Sequence, residues 1–163
     1  MKLTSYWKSF AACVLPHLLL LWLINTSIPE VFTMWYANLK KPLFAISTDY
    51  ISGLTFVVYL LLGISYFFQW TSKVPYNLVI HKRYSLILHY ILVIFISSWF
   101  YIFFVFKLLD LAIIISLLAW VLVLFLYFFM KKISHKAGYM LIPISVWLTY
   151  NFVLSWAFWQ LNH

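Results

Sequence analysis

"LAIIISLLAWVLVLFLYFFM", residues 111–130, runs the length of a bilayer crossing without one charged side chain. An α-helix rises about 1.5 Å per residue, so about 20 apolar residues cross the ~30 Å hydrocarbon core. The run is apolar throughout instead of alternating, which excludes a strand of a membrane barrel, where lipid-facing and lumen-facing residues alternate. It is a transmembrane helix, extended to about 108–130 by its neighbours, and comparable runs fit four more spans at about 7–27, 49–71, 84–106 and 139–161. The expected fold is all-α, an integral membrane bundle of five transmembrane helices forming a single domain over residues 1–163.

Composition agrees with this reading. With 66% hydrophobic and 9% charged side chains, the chain has too few polar groups to cover a soluble globule. A net charge of +8 could point to nucleic acid, but the 11 basic residues gather at span ends and act as topology signals, so no nucleic-acid partner is expected. Lys2, Lys8, Lys73, Lys82, Arg83, Lys131, Lys132 and Lys136 share one side, against Lys40, Lys41 and Lys107 on the other. That asymmetry predicts a multi-pass protein in a lipid bilayer with a cytoplasmic N-terminus and an external C-terminus. The first span resembles a signal peptide, but the "INTSIPE" that follows (residues 24–30) lacks a small-x-small cleavage pattern, so retention is expected. The third and fourth spans are separated by almost nothing around Lys107, which predicts a tight antiparallel hairpin.

Little catalytic chemistry is available. The carboxylates, Glu30, Asp49 and Asp110, all fall near span ends, so a hydrolytic acid–base pair is not expected and no catalytic residue is assigned. A lone cysteine, Cys13, forms no disulfide framework. The histidines at 17, 81, 89, 135 and 163 show no metal-ligand spacing, and no metal site is assigned. His17 and His89 lie inside spans, where an ionisable group is a functional candidate because its desolvation is costly. Each also stands one turn from a local partner, Cys13 for His17 and Ser85 for His89, so a neutral, hydrogen-bonded core histidine competes with a ligand contact by His89.

Helical spacing collects the remaining polar and aromatic residues. Ser52, Thr55, Tyr59 and Gly63 share one face of the second span; Pro143, Trp147, Asn151 and Ser155 share one of the fifth. In the third span His89, Ile96, Phe100 and Phe103 share a face with Trp99 at its margin. Such faces either enclose a pocket for a flat apolar ligand or pack helix on helix.

The first connector, 28–48, is unusual for holding "MWYANLKKPLF" at 34–44. Within it "WYANLKKP", Trp35 to Pro42, resembles the W-Y-x-x-L-x-K-P signature of the TspO/translocator protein family, and the match continues without gaps to Tyr59. "AACVLP" (11–16), "SWFYIFF" (98–104), "LIPISVW" (141–147) and "LSWAFW" (154–159) resemble the family's first, third and fifth spans in order. The resemblance implies a five-helix bundle, often a homodimer, that binds porphyrin, haem and, in animal members, sterols beneath the first loop. It implies a receptor or sensor that requires no cofactor, with light- and oxygen-dependent porphyrin breakdown or tetrapyrrole transport as the alternatives. Under it, 28–48 is a lid to which Trp35 and Tyr36 belong, Pro42 sets the lid's path, and Tyr59, Trp99 and Trp147 line the pocket. Lys41 would approach ligand carboxylates, while Asn151 and Ser155 are added by their helical face. Thr55 stands where relatives carry a pocket tryptophan, which weakens any oxidisable-indole chemistry. Val14 replaces a family glycine, Ile96 an asparagine and Tyr101 a proline; Ile46 and Ser47 replace two lid prolines, which predicts a looser lid.

Overall fold

The computed structural model describes residues 3–27 and 35–163, without the side chains of 3–5, 48 and 49. Residues 28–34 of the expected lid, Glu30 among them, lie outside the described residues. The chain forms α1 (Leu3–Ser27), a one-turn α2 (Trp35–Asn38), α3 (Thr48–Thr71), α4 (Val79–Phe100), α5 (Leu109–Ile133) and α6 (His135–Asn162). A 3₁₀ turn at Tyr76–Leu78 leads into α4, and a π turn at Tyr101–Val105 follows it. Five helices are long and apolar enough to cross a membrane, and the protein is an integral multi-pass membrane protein.

The third and fifth spans start earlier than hydropathy placed them, at Val79 instead of 84 and at His135 instead of 139. Hydropathy finds the segment in hydrocarbon; the helix itself continues into the interface until a cap or turn ends it. At α6 the cap is Ser134, whose hydroxyl accepts the Ala137 N–H at 3.4 Å. In the loop between α3 and α4, Lys82 Nζ donates to the Trp70 and Ser72 carbonyls, each at 2.7 Å, closing the last turn of α3. The expected hairpin around Lys107 is present: this residue takes a left-handed φ of 59°, and α5 begins two residues later at Leu109.

Packing orders the helices as a ring. α5 lies along both α4 and α6, and α3 lies along both α1 and α6, whereas α4 meets α1 and α3 only narrowly. The ring therefore has one thin seam, between α4 and the α1–α3 pair. α1 and α3 approach closely at Gly63, where a Cβ would stand 2.8 Å from the Val14 Cα and 3.3 Å from its Cβ and Cγ2. The valine that departs from the family pattern is thus accommodated by the glycine opposite it.

Candidate ligand site

At the lid end the site is built from aromatic rings. The π turn widens α4 where relatives place proline, its Phe106 N–H reaching the Tyr101 carbonyl at 2.9 Å. The consecutive Phe103 and Phe104 are both buried, as Trp99 and Phe100 are one turn earlier. Tyr36 of α2 drops onto them and onto Phe158 of α6, with ring centroids 5.7 Å from Phe104 and 5.4 Å from Phe158. Trp35 meets Phe103 edge-on at 5.8 Å, and Trp99 stacks on Phe103 at 5.1 Å. Edge-on and offset pairs of this kind add about 0.5–1.5 kcal/mol each beyond area burial. Burial pushes the Tyr36 phenol above its ordinary titration range, with Tyr150 adding to the effect. The neutral ring receives the exposed Lys41, whose Nζ lies 4.7 Å from its centroid.

Two ties hold this lid to α6. The Asn162 amide pairs with both backbone groups of Lys40: its Oδ1 accepts the Lys40 N–H at 2.8 Å and its Nδ2 donates to the Lys40 carbonyl at 3.0 Å. Pro42 turns the chain, its carbonyl accepting the Ala45 N–H at 2.9 Å, and Ile46 N–H then donates to the Tyr150 hydroxyl at 3.2 Å. A proline at 46 would have no N–H to give. The departure that predicted a looser lid therefore also supplies a tie that relatives with proline there lack. Asn162→Ala removes the first tie, and net hydrogen-bond values of about 0.5–1.5 kcal/mol predict hydrogen exchange at the Lys40 amide faster by about threefold to tenfold. Unchanged exchange would show that the tie does not hold the lid.

Deeper in the bundle, polar side chains pair between helices. The Tyr59 and Ser97 hydroxyls meet at 2.7 Å, and Ser97 donates to the Val93 carbonyl, so Tyr59 is the donor to Ser97. The Trp99 indole donates to Ser155 at 2.9 Å. Thr55 is buried one turn from Tyr59 and returns its hydroxyl to the Ile51 carbonyl at 2.7 Å. Asn151 is buried on α6, one turn from both Trp147 and Ser155. Trp147 stacks on Tyr150 at 5.5 Å, and its Nε1 is buried with no hydrogen-bond partner. Tyr150 in turn walls a groove of about 410 Å³ beneath Phe44 of the lid, completed by Val146, Thr149 and Val153.

The structure thus brings Trp35, Tyr36, Lys41 and Pro42 to the lid, and places Thr55, Tyr59, Trp99, Trp147, Asn151 and Ser155 beneath it. His89 is elsewhere. It lies two turns below Ser97 on α4, and its bond is not to Ser85: its Nε2 faces the His17 Nε2 at 3.2 Å. Ser85 is taken by Gln69 and by the Lys82 carbonyl. His17 does bond locally, to the Cys13 carbonyl at 2.8 Å. Sequence reasoning missed Phe104, Phe158, Tyr150 and Asn162. Phe104 stands one turn from Phe100, on which it stacks, and so continues the buried face that carries Trp99 and Phe100. For Asn162, paired with a residue 122 positions away, there was no local signal.

Comparison with known sequences adds a finding that covers nearly the whole chain. The sequence model described as the TspO/MBR family matches residues 12–160. No curated protein matches the sequence.

Proposed function

From a chain that belongs to the TspO/MBR family and folds as a five-span membrane bundle under an aromatic lid, we propose a membrane receptor or sensor for porphyrin, haem or a similar flat apolar ligand. The observation that carries this reading is the Trp147 indole N–H, buried without an acceptor behind the Tyr150 wall of the groove. A buried donor without a partner costs about 1–3 kcal/mol, which a ligand carbonyl or carboxylate would relieve. The groove opens along the outer face of α6, so the ligand enters from the bilayer, where such molecules partition. Its volume of about 410 Å³ is that of a small-molecule site. The aromatic faces of Phe44 and Tyr150 supply stacking, and the exposed Lys41, three residues before Phe44 in the lid, supplies a cation for carboxylates. Occupancy shifts the lid between tied and released states, to the extent that the ligand binds one of them better.

The charge bias supports an orientation: Lys73, Lys82, Arg83, Lys131 and Lys132 gather around the α3–α4 loop and the end of α5, which favours that end and the N-terminus on the cytoplasmic side. The lid then faces outward.

Titrating the purified protein with protoporphyrin IX while following tryptophan fluorescence is expected to give saturable quenching. Quenching that rises linearly, as in detergent alone, would sink the receptor reading. Porphyrin breakdown is separable in the same sample: under illumination it predicts Soret bleaching faster with protein than in detergent alone. The pocket position held by Thr55, whose hydroxyl bonds its own helix, offers no indole for that chemistry.

A further inference from the structure

Two hydrogen-bond chains cross the thin seam of the ring well away from the lid, and each has a direction fixed by a carbonyl. A carbonyl only accepts, so His17 carries its proton on Nδ1 and gives it to the Cys13 oxygen. Its Nε2 is then a lone pair, and the 3.2 Å contact with His89 requires His89 to carry its proton on Nε2. His89 Nδ1 is left as an acceptor, buried with no partner. The second chain repeats the logic. Ser85 gives its only proton to the Lys82 carbonyl at 3.0 Å, so it must accept from the Gln69 amide nitrogen. Gln69 Oε1 is left as an acceptor, again buried with no partner.

Each chain passes through the same face of α4, since Ser85 and His89 are one turn apart. His89, Gln69 and Ser85 are each fully buried and His17 nearly so. Buried polar atoms in folded proteins are satisfied almost without exception. Each unsatisfied acceptor marks a place for a hydrogen-bond donor.

We propose that this seam is a proton-binding site, in which His89 takes up a proton on Nδ1, donates it toward Gln69 Oε1, and shares the resulting charge with His17 through the Nε2 contact. The step balances simply: hydronium from the aqueous phase at the basic end loses a proton and leaves as water, and an N–H bond forms at Nδ1. Desolvation opposes a charge at this depth. What offsets it is hydrogen bonding, because the neutral site has two unsatisfied acceptors whereas the charged site has both N–H groups of His89 and the Gln69 oxygen engaged. The titratable neighbours are Cys13 and His17 on α1, Tyr66 on α3 and Tyr90 on α4; Tyr66 and Tyr90 lie with ring centroids 5.2 Å and 6.3 Å from His89. Among the described residues no carboxylate belongs to this group, and Lys82, two turns away on α4, is engaged with the carbonyls that end α3. Histidines within membrane spans are among the groups that relay protons in membrane proteins. The seam is independent of the porphyrin reading.

The test is nitrogen-15 NMR of the full chain, labelled at histidine and reconstituted in liposomes, with His17→Gln and His89→Gln used for assignment. At about pH 8 His17 should carry its proton on Nδ1 and His89 on Nε2; by about pH 4 His89 should carry two, with the helices intact by circular dichroism. Gln69→Met keeps the volume but removes the acceptor, and should require about tenfold more protons for half-occupancy, a midpoint lower by about one unit. Two results would overturn the proposal. One is a His89 that stays singly protonated to about pH 4 in folded protein, meaning that the site holds a neutral donor such as water; the other is an unchanged midpoint in Gln69→Met.

Discussion

Gly63→Ala is expected to destabilise the bundle by about 1–3 kcal/mol, the range for adding a methyl group to a close-packed interior. The reason is geometric: the new Cβ would meet the Val14 Cα at 2.8 Å, and a backbone atom cannot swing aside as a side-chain tip can. α1 must then move away from α3, its principal neighbour in the ring. Thermal unfolding of the detergent-solubilised protein, followed by circular dichroism, measures the effect. The partner position supplies an internal control. Val14→Gly in the same background removes the two contacts at 3.3 Å but leaves the one at 2.8 Å, so rescue should be partial. Full stability in Gly63→Ala alone would mean that α1 and α3 do not approach as closely as described. A methyl group added at Gly53 would meet nothing within 4 Å, and Gly53→Ala should be neutral or slightly stabilising through helix propensity.

Trp147 is expected to dominate ligand affinity. Trp147→Phe retains a ring to stack on Tyr150 and removes the N–H that has no partner in the protein, together with part of the indole's volume. If that N–H serves a ligand acceptor, protoporphyrin IX should bind about tenfold more weakly, about 1.4 kcal/mol, while the protein loses less stability than on truncation to alanine, because a ring still fills most of the site. Trp147→Ala removes the ring as well, and should lose about 100-fold in affinity together with stability, since truncating a buried tryptophan costs about 3–5 kcal/mol. The phenylalanine variant is therefore the diagnostic one. Equal affinity in Trp147→Phe and the parent would show that the indole N–H is not a ligand contact and would remove the main support for the receptor reading.

The two variants differ in what sequence could foretell. Trp147 was legible: it sits in a face of residues four apart and within a segment that resembles the family's fifth span. The clash at Gly63 was not, because Val14 and Gly63 look unrelated until α1 and α3 are laid together. The lid shows the same division. Its aromatic content marked it as more than a connector, and the Pro42 carbonyl accepts the Ala45 N–H in a turn within it. That Ile46 would use its N–H on Tyr150, 104 residues away, depends on where α6 brings that hydroxyl.

Five membrane spans, a hairpin at Lys107, the polar faces of the helices and the family all lie in the order of residues, because hydropathy and helical periodicity act over distances that one segment contains. The pairing of His17 with His89 and of Gln69 with Ser85, the burial of Phe103 beside Phe104, and the clasp of Asn162 on Lys40 arise from which helix stands beside which. A side chain's face is set by its own helix, but its partner is set by the neighbouring helix's position and rotation, and in this bundle those follow from close contacts such as Val14 against Gly63.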